Sequence, residues 1–359
     1  MIKGFIDNYL KKFQPYKENK CWCYEDGVIL TAALNMYQVF QDEEYLRIID
    51  NYLESHVDKN GNMYLYEIND FNIDNIQPGR ILFYAYQKLR KEKYLLAADI
   101  LYKQLMVHPR TNDGNFFHKK RYPYQVWLDG LYMAMPFYAL YAKKYNKKAI
   151  YKDIIHQFEM VRQYLFDENR KLYVHAYDEK RQMQWADKVT GKSPNVWSRS
   201  VGWLAMALID VYEIIRYDIN ASKIAKLFKE LVTGMIKYQD KKTGMWYQIV
   251  DQPTLEGNYL ETSGTSMIAY ALLKAYRLGV VNYQQYIQGK KAYYGTIKKY
   301  FKKDNGEYKL YGICKVAGLD NEKRDGSIEY YLSEEVVAND SKGVAPFVMA
   351  FCEMLKGEV

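Results

Sequence analysis

The chain lacks several features, and each absence removes a class of function. No apolar run approaches the roughly 18 residues that a membrane span needs, so no membrane partner is expected. No Pro-, Gly- or Ser-rich linker interrupts the 359 residues, which favours one folded unit over 1–359. Cysteine is scarce: Cys21, Cys23, Cys314 and Cys352 form neither a paired framework nor a C-x-x-C zinc site, and read as reduced thiols. Nucleotide signatures also fail. TGKSP at 190–194 has the tail of a P-loop, but Ala186 stands where the earlier glycine belongs, and there is neither a G-x-G-x-x-G before a helix nor an H-E-x-x-H. No metal and no organic cofactor are expected. The N-terminus, MIKGFIDNYLKKF, carries apolar residues at helical spacing without a continuous apolar core or a cleavage site, so it reads as a structural helix and a cytoplasmic location is expected.

What is present is aromatic and mildly basic. There are 38 tyrosines, which supply flat, half-polar surface of the kind that stacks on sugars or bases. The net charge is +8, but its lysines are scattered in pairs such as Lys143-Lys144 and Lys302-Lys303, as on solvated faces, and no nucleic-acid partner is expected.

A repeated pattern organises the chain. Six segments begin with a polar or turn residue beside glycine and continue as small, apolar helices, starting at Glu25, Gln77, Leu128, Ser198, Thr262 and Ser341. They are apolar almost all round, which marks buried helices. Between them, segments near 2–13, 43–57, 92–107, 147–165, 221–239 and 283–301 carry a single apolar stripe and many charges, as outer helices do. Turns followed by aromatic alternation, at 58–67, 111–119, 167–178, 241–251 and 302–312, lead from most outer helices to the next inner one and read as short strand or extended chain. Twelve helices alternating outer and inner predict an all-α (α/α)6 barrel with its long loops at one end. An open superhelix of helical pairs would need a shorter and steadier period.

Chemistry concentrates at the loop end. In PYQVWLDGLYMAMPFYALYAKKY (123–145), Asp129 stands among aromatic and apolar residues. It either caps a helix starting at Gly130 or is a carboxyl that burial keeps protonated. Val-Trp recurs in VWSRS (196–200), where Arg199 corresponds to Asp129, so the repeat predicts an acid and a guanidinium facing each other across one cavity. His118 and His175 occupy matching loops before these two segments, whereas His56, His108 and His156 fall in or beside outer helices and suit structural roles. Asp74, in NDFNIDNIQPGR, is either a further site carboxylate or the turn residue before the second inner helix.

WCYEDG (22–27), VWLDGLYMAMPF, WSRSVGWLAMALIDV, ETSGTSMIAYAL and NDSKGVAPFVMA (339–350) together resemble glycoside hydrolase family 105, the unsaturated rhamnogalacturonyl hydrolases. The resemblance implies an (α/α)6 barrel that removes the nonreducing-end 4,5-unsaturated uronate from lyase-generated oligosaccharides. It implies Asp129 as the general acid, Asp74, His118 and His175 as polar site residues, and Arg199 and Trp203 as contacts to the unsaturated sugar. Lys119, Trp127, Met133 and Trp197 match positions lining the family's pocket. Unsaturated glucuronyl hydrolases, which share fold and chemistry, are the nearest alternative. An inverting glycosidase using Asp74 with Asp129, a sugar-binding toroid and a helical interaction scaffold are the others.

Overall fold

The computed structural model describes residues 1–357 apart from 18 and 20. Six helices form an inner ring: α2 (Tyr24–Phe40), α4 (Gly79–Leu89), α6 (Leu128–Lys144), α8 (Ser198–Ile215), α10 (Thr262–Arg277) and α13 (Ser341–Lys356). Outside them lie α1 (Ile2–Lys11), α3 (Glu43–His56), α5 (Lys93–Val107), α7 (Ala149–Leu165), α9 (Ala221–Lys237) and α11 (Tyr283–Tyr300). A short α12 (Ile328–Ser333) sits in the last long connection. Each inner helix packs on the next and α13 returns to α2, so the ring closes as an (α/α)6 barrel.

Composition explains the two layers. α10 is buried at every position from Thr262 to Ala275, and only a helix without a charged face tolerates neighbours on all sides. In α9 the large buried side chains, Ile224, Phe228, Leu231, Val232 and Met235, follow one stripe, and its lysines face water. Close approach within the ring depends on small residues: a Cβ on Gly264 would lie 2.6 Å from the backbone of Ser198, where α8 and α10 begin side by side. No helix among the described residues is long and apolar enough to cross a membrane.

Among the described residues, strands appear only as two-stranded antiparallel pairs: β1 (Gln125–Trp127) with β4 (Ala176–Asp178), β2 (Phe166–Asp167) with β3 (Leu172–Tyr173), β5 (Phe301–Asp304) with β6 (Glu307–Leu310), and β7 (Ile313–Cys314) with β8 (Val336–Val337). The aromatic alternation at 167–178 and 302–312 thus forms ladders. At 58–67, 111–119 and 241–251 it forms only isolated bridges, such as Val57 with Met63 and Arg110 with Phe116. Gly61, Gly114 and Gly244 turn these segments at positive φ.

Candidate active site

The β1–β4 pair places the acid. Trp127 lies opposite Ala176, so Asp129, two residues after Trp127, and His175, just before Ala176, come together, and Leu128 N–H donates to the His175 carbonyl at 3.1 Å. α6 begins at Leu128, two residues earlier than the capping interpretation of Asp129 requires. Asp129 is the second helical residue, its N-cap is Trp127, and no side chain caps the helix. Its carboxylate is therefore not consumed by the backbone. Asp129 Oδ2 stands 3.3 Å from His175 Nε2; both atoms are buried and neither has an aligned hydrogen bond.

Asp74 is likewise not the turn's cap. Asn72 caps the 3-10 turn at Ile73–Ile76 by accepting from the Asp74 N–H, which frees the Asp74 carboxylate. That carboxylate lies 2.5 Å from Lys119 Nζ and 3.8 Å from His118 Nε2, while its Oδ1 has no hydrogen bond. Burial pushes the Asp74 carboxyl up, but Lys119 and then His118 outweigh it and hold it below the ordinary range. His118 is fixed by backbone bonds to Ile73 and Gln125 and stacks on Trp127 at 4.4 Å. Burial, with Lys119 beside it, lowers its ring to about 4 despite Asp74, so it is neutral near pH 7; its Nδ1 is buried without a partner.

These groups share one cavity of about 600 Å³, within the range of small-molecule sites. Asp74, His118, Lys119, Trp127, Asp129 and Met133 line it. His175 is fully buried directly behind Asp129. Among the described residues, no three His, Cys, Asp or Glu side chains converge so as to hold a metal ion.

Arg199 does not face Asp129 across this cavity, and neither Trp197 nor Trp203 lines it. The guanidinium of Arg199 turns sideways: Nε donates to Ser263 Oγ at 2.7 Å, an Nη donates to the Cys314 carbonyl, and Glu261 lies 3.9 Å away. A buried guanidinium must satisfy its donors, and these acceptors adjoin it while Asp129 does not. Trp203 stacks on Tyr132 at 4.8 Å, behind the wall residue Tyr24; Trp197 packs on His175 and bonds Gln248.

Several wall residues were not singled out from the sequence: Lys17, Tyr24, Glu25, Arg121, Tyr122 and Arg324 among them. One signal could have found Glu25. The second residues of the six inner helices are Glu25, Arg80, Asp129, Arg199, Ser263 and Lys342, all polar, and Glu25 is the other acid in that set. Its Oε2 is buried without a partner, and burial pushes its carboxyl up.

Comparison with known proteins agrees with this architecture. The family model described as Glycosyl Hydrolase Family 88 matches residues 1–357. A solved glycoside hydrolase from family 105 of C. acetobutylicum is 38% identical, with a TM-score of 0.93 over 98% of each chain. "Protein Atu3128" of Agrobacterium fabrum is 39% identical over 231 residues, 62% of this chain and 98% of that protein. "Unsaturated rhamnogalacturonyl hydrolase YesR" of Bacillus subtilis is 24% identical over 294 residues, 80% of this chain and 78% of that protein. The chain belongs to the glycoside hydrolases of families 88 and 105.

Proposed function

We propose that this protein removes the nonreducing-end 4,5-unsaturated uronic acid from lyase-generated oligosaccharides by hydrating the double bond, with unsaturated rhamnogalacturonan disaccharides as the preferred substrate. The observation that carries the reading is the position of Asp129: a carboxylate that caps no helix, on the wall of a cavity with Tyr24, Tyr122 and Trp127, 3.3 Å from His175 Nε2. The substrate preference draws on the relative YesR, whose name states that activity.

The reaction begins with an enol ether, C4=C5–O5. Asp129 as general acid gives its proton to C4, and the electron pair of the double bond forms the new C–H bond, leaving an oxocarbenium at C5 and O5. Water adds at C5 and loses its proton to a carboxylate of the site. The resulting hemiketal opens to a C5 ketone, and the hemiacetal at C1 releases the partner sugar. Apolar packing by Trp127 and Met133 keeps the acid beside a poorly hydrated wall. With Arg199 turned away, Lys119 becomes the first candidate to meet the uronate carboxylate, while Asp74 and His118 bond ring hydroxyls.

The test is loss of ultraviolet absorbance of the conjugated uronate on a panel of lyase-generated disaccharides, with rhamnose, glucosamine or another uronate as partner. Turnover fastest on the rhamnose member supports the preference. Faster turnover on a glycosaminoglycan member would move the protein to the glucuronyl alternative. Cleavage of saturated oligosaccharides with the double bond untouched would favour the inverting glycosidase, and no loss on any member would sink the activity.

A further inference from the structure

Behind the proposed acid lies a second buried contact. His175 Nδ1 is 2.7 Å from the hydroxyl of Tyr331, which reaches it from α12, 156 residues further along the chain. Tyr331 is fully buried, and this is its hydroxyl's one partner among the described residues. A frame holds the phenol in place: its ring stacks near Trp197 at 6.1 Å, its N–H donates to the Ser327 carbonyl, and its own carbonyl accepts from Gln248 Nε2 at 3.2 Å. Gln248 Oε1 in turn accepts from Trp197 Nε1, so the partner residues fix each other.

The direction of the hydroxyl bond follows from satisfaction of donors. If Tyr331 accepted from an N–H at Nδ1, its own O–H would be a buried donor without a partner, at a cost of about 1–3 kcal/mol. If it donates to Nδ1, no donor is left over on the phenol. Burial also holds the Tyr331 phenol well above its ordinary range, so the proton stays on it. The imidazole then carries its one proton on Nε2, the nitrogen that stands 3.3 Å from Asp129 Oδ2.

We propose that Tyr331 is a positioning residue for the acid: it donates to His175 Nδ1 and so fixes the imidazole with its Nε2–H directed at Asp129 Oδ2. This rests on Asp129 being the general acid. An N–H held against Oδ2 leaves Oδ1 as the oxygen that carries the transferable proton into the cavity, and it receives the charge left on the carboxylate after C4 is protonated. The opposite tautomer would present a lone pair at Nε2, accept the carboxyl's proton as a hydrogen bond and hold it away from the substrate. The Asp129–His175 contact is close but not aligned as a hydrogen bond; catalytic hydrogen bonds commonly tighten only when substrate binds. The same excursion of chain, between β7 and β8, brings Val316, Ala317, Gly318 and Arg324 to the cavity wall, so the segment that closes the cavity also sets the imidazole.

The test pairs kinetics with nitrogen NMR on the full-length protein. With five histidines in the chain, 15N-histidine labelling gives few signals, and His175→Gln assigns the one in question. Wild type is expected to show His175 protonated at Nε2 and bare at Nδ1. Tyr331→Phe keeps the ring packing and removes only the donor; it should unfold near the wild-type temperature and shift His175 towards the Nδ1–H form. On the best disaccharide of the panel its kcat should fall about 10- to 100-fold, the scale of losing an outer partner of a site residue, with KM little changed. Unchanged His175 nitrogens in Tyr331→Phe would overturn the proposal. So would an unchanged kcat in that variant while Asp129→Asn is inactive, an outcome that leaves the general-acid reading standing. An active Asp129→Asn would remove that reading, and the proposal with it.

Discussion

Charge is buried in two places in this barrel, and its condition differs. Inside the ring, Asp210 on α8 accepts from Arg80, Tyr270 and Lys274, each at 2.7 Å; Lys274 also meets Glu213, and Arg277 bridges Glu213 and Glu353. Burial pushes Asp210 up, but Lys274 and Arg80 hold its carboxyl down at about 2. One Arg80 nitrogen aside, the side chains of this network have their partners. At the loop end, Glu25, Asp74, His118, Asp129 and His175 each keep a buried atom without one. The two regions nearly touch, since Arg80 lies over the ring of Tyr132, the neighbour of wall residue Met133. Satisfied charge builds the ring. Unsatisfied polar groups at the same depth cost stability unless something else completes them, as a polar ligand would.

Exchanging a single atom in each region should separate them. Asp129→Asn should leave the unfolding temperature close to wild type, because the carboxylate has no aligned bond to lose, while kcat falls about 10⁴-fold, the upper end for a general acid. Activity within tenfold of wild type, measured by uronate absorbance, would remove Asp129 from that role. Asp210→Asn should do the reverse. It leaves Arg80 buried without its counter-charge and Lys274 with Glu213 alone, so denaturant unfolding should show a loss of about 3–5 kcal/mol. A loss below about 1 kcal/mol would mean that the interior network is not structural.

A third expectation uses pH. His118 in the cavity wall and His108, which bonds Gln104 and the Phe117 carbonyl, are both lowered to about 4, first by burial. The unfolded chain, with imidazoles near 6.5, binds protons before the folded one does. Their contribution is therefore complete above about pH 6.5 and is lost as pH falls towards 4, on the order of 3 kcal/mol for each. His118→Gln should flatten the acid limb of the stability profile; an unchanged slope between pH 6.5 and 4 would show that His118 is not buried neutral.

The smallest effect concerns Arg199, which belongs by its bonds with the satisfied charges. Arg199→Lys preserves charge but loses the fork that reaches Ser263 and Cys314 together, and should cost about 1.5–3 kcal/mol of stability. If activity fell sharply with stability unchanged, the guanidinium would be reaching substrate after all.

The amino-acid sequence by itself determined the ring. The contrast between helices apolar all round and helices with one stripe depends on local periodicity, so all six inner and six outer helices were legible, within a few residues of their ends. It also indicated which loops meet, because repeated elements in a closed ring present equivalent positions to one end, and His118 and Asp129 share a cavity there; Lys119, Trp127 and Met133, expected from the family resemblance, line it too, as does Asp74. Tertiary structure alone decided where side chains point. Arg199 and Asp129 hold equivalent helical positions, yet Glu261, Ser263 and the Cys314 carbonyl stand beside one and His175 beside the other. Nothing local to residue 199 or 129 encodes those neighbours, and nothing near His175 announces Tyr331. A buried polar group turns to the nearest partner that satisfies it, and in a ring that partner comes from an adjacent element tens or hundreds of residues away.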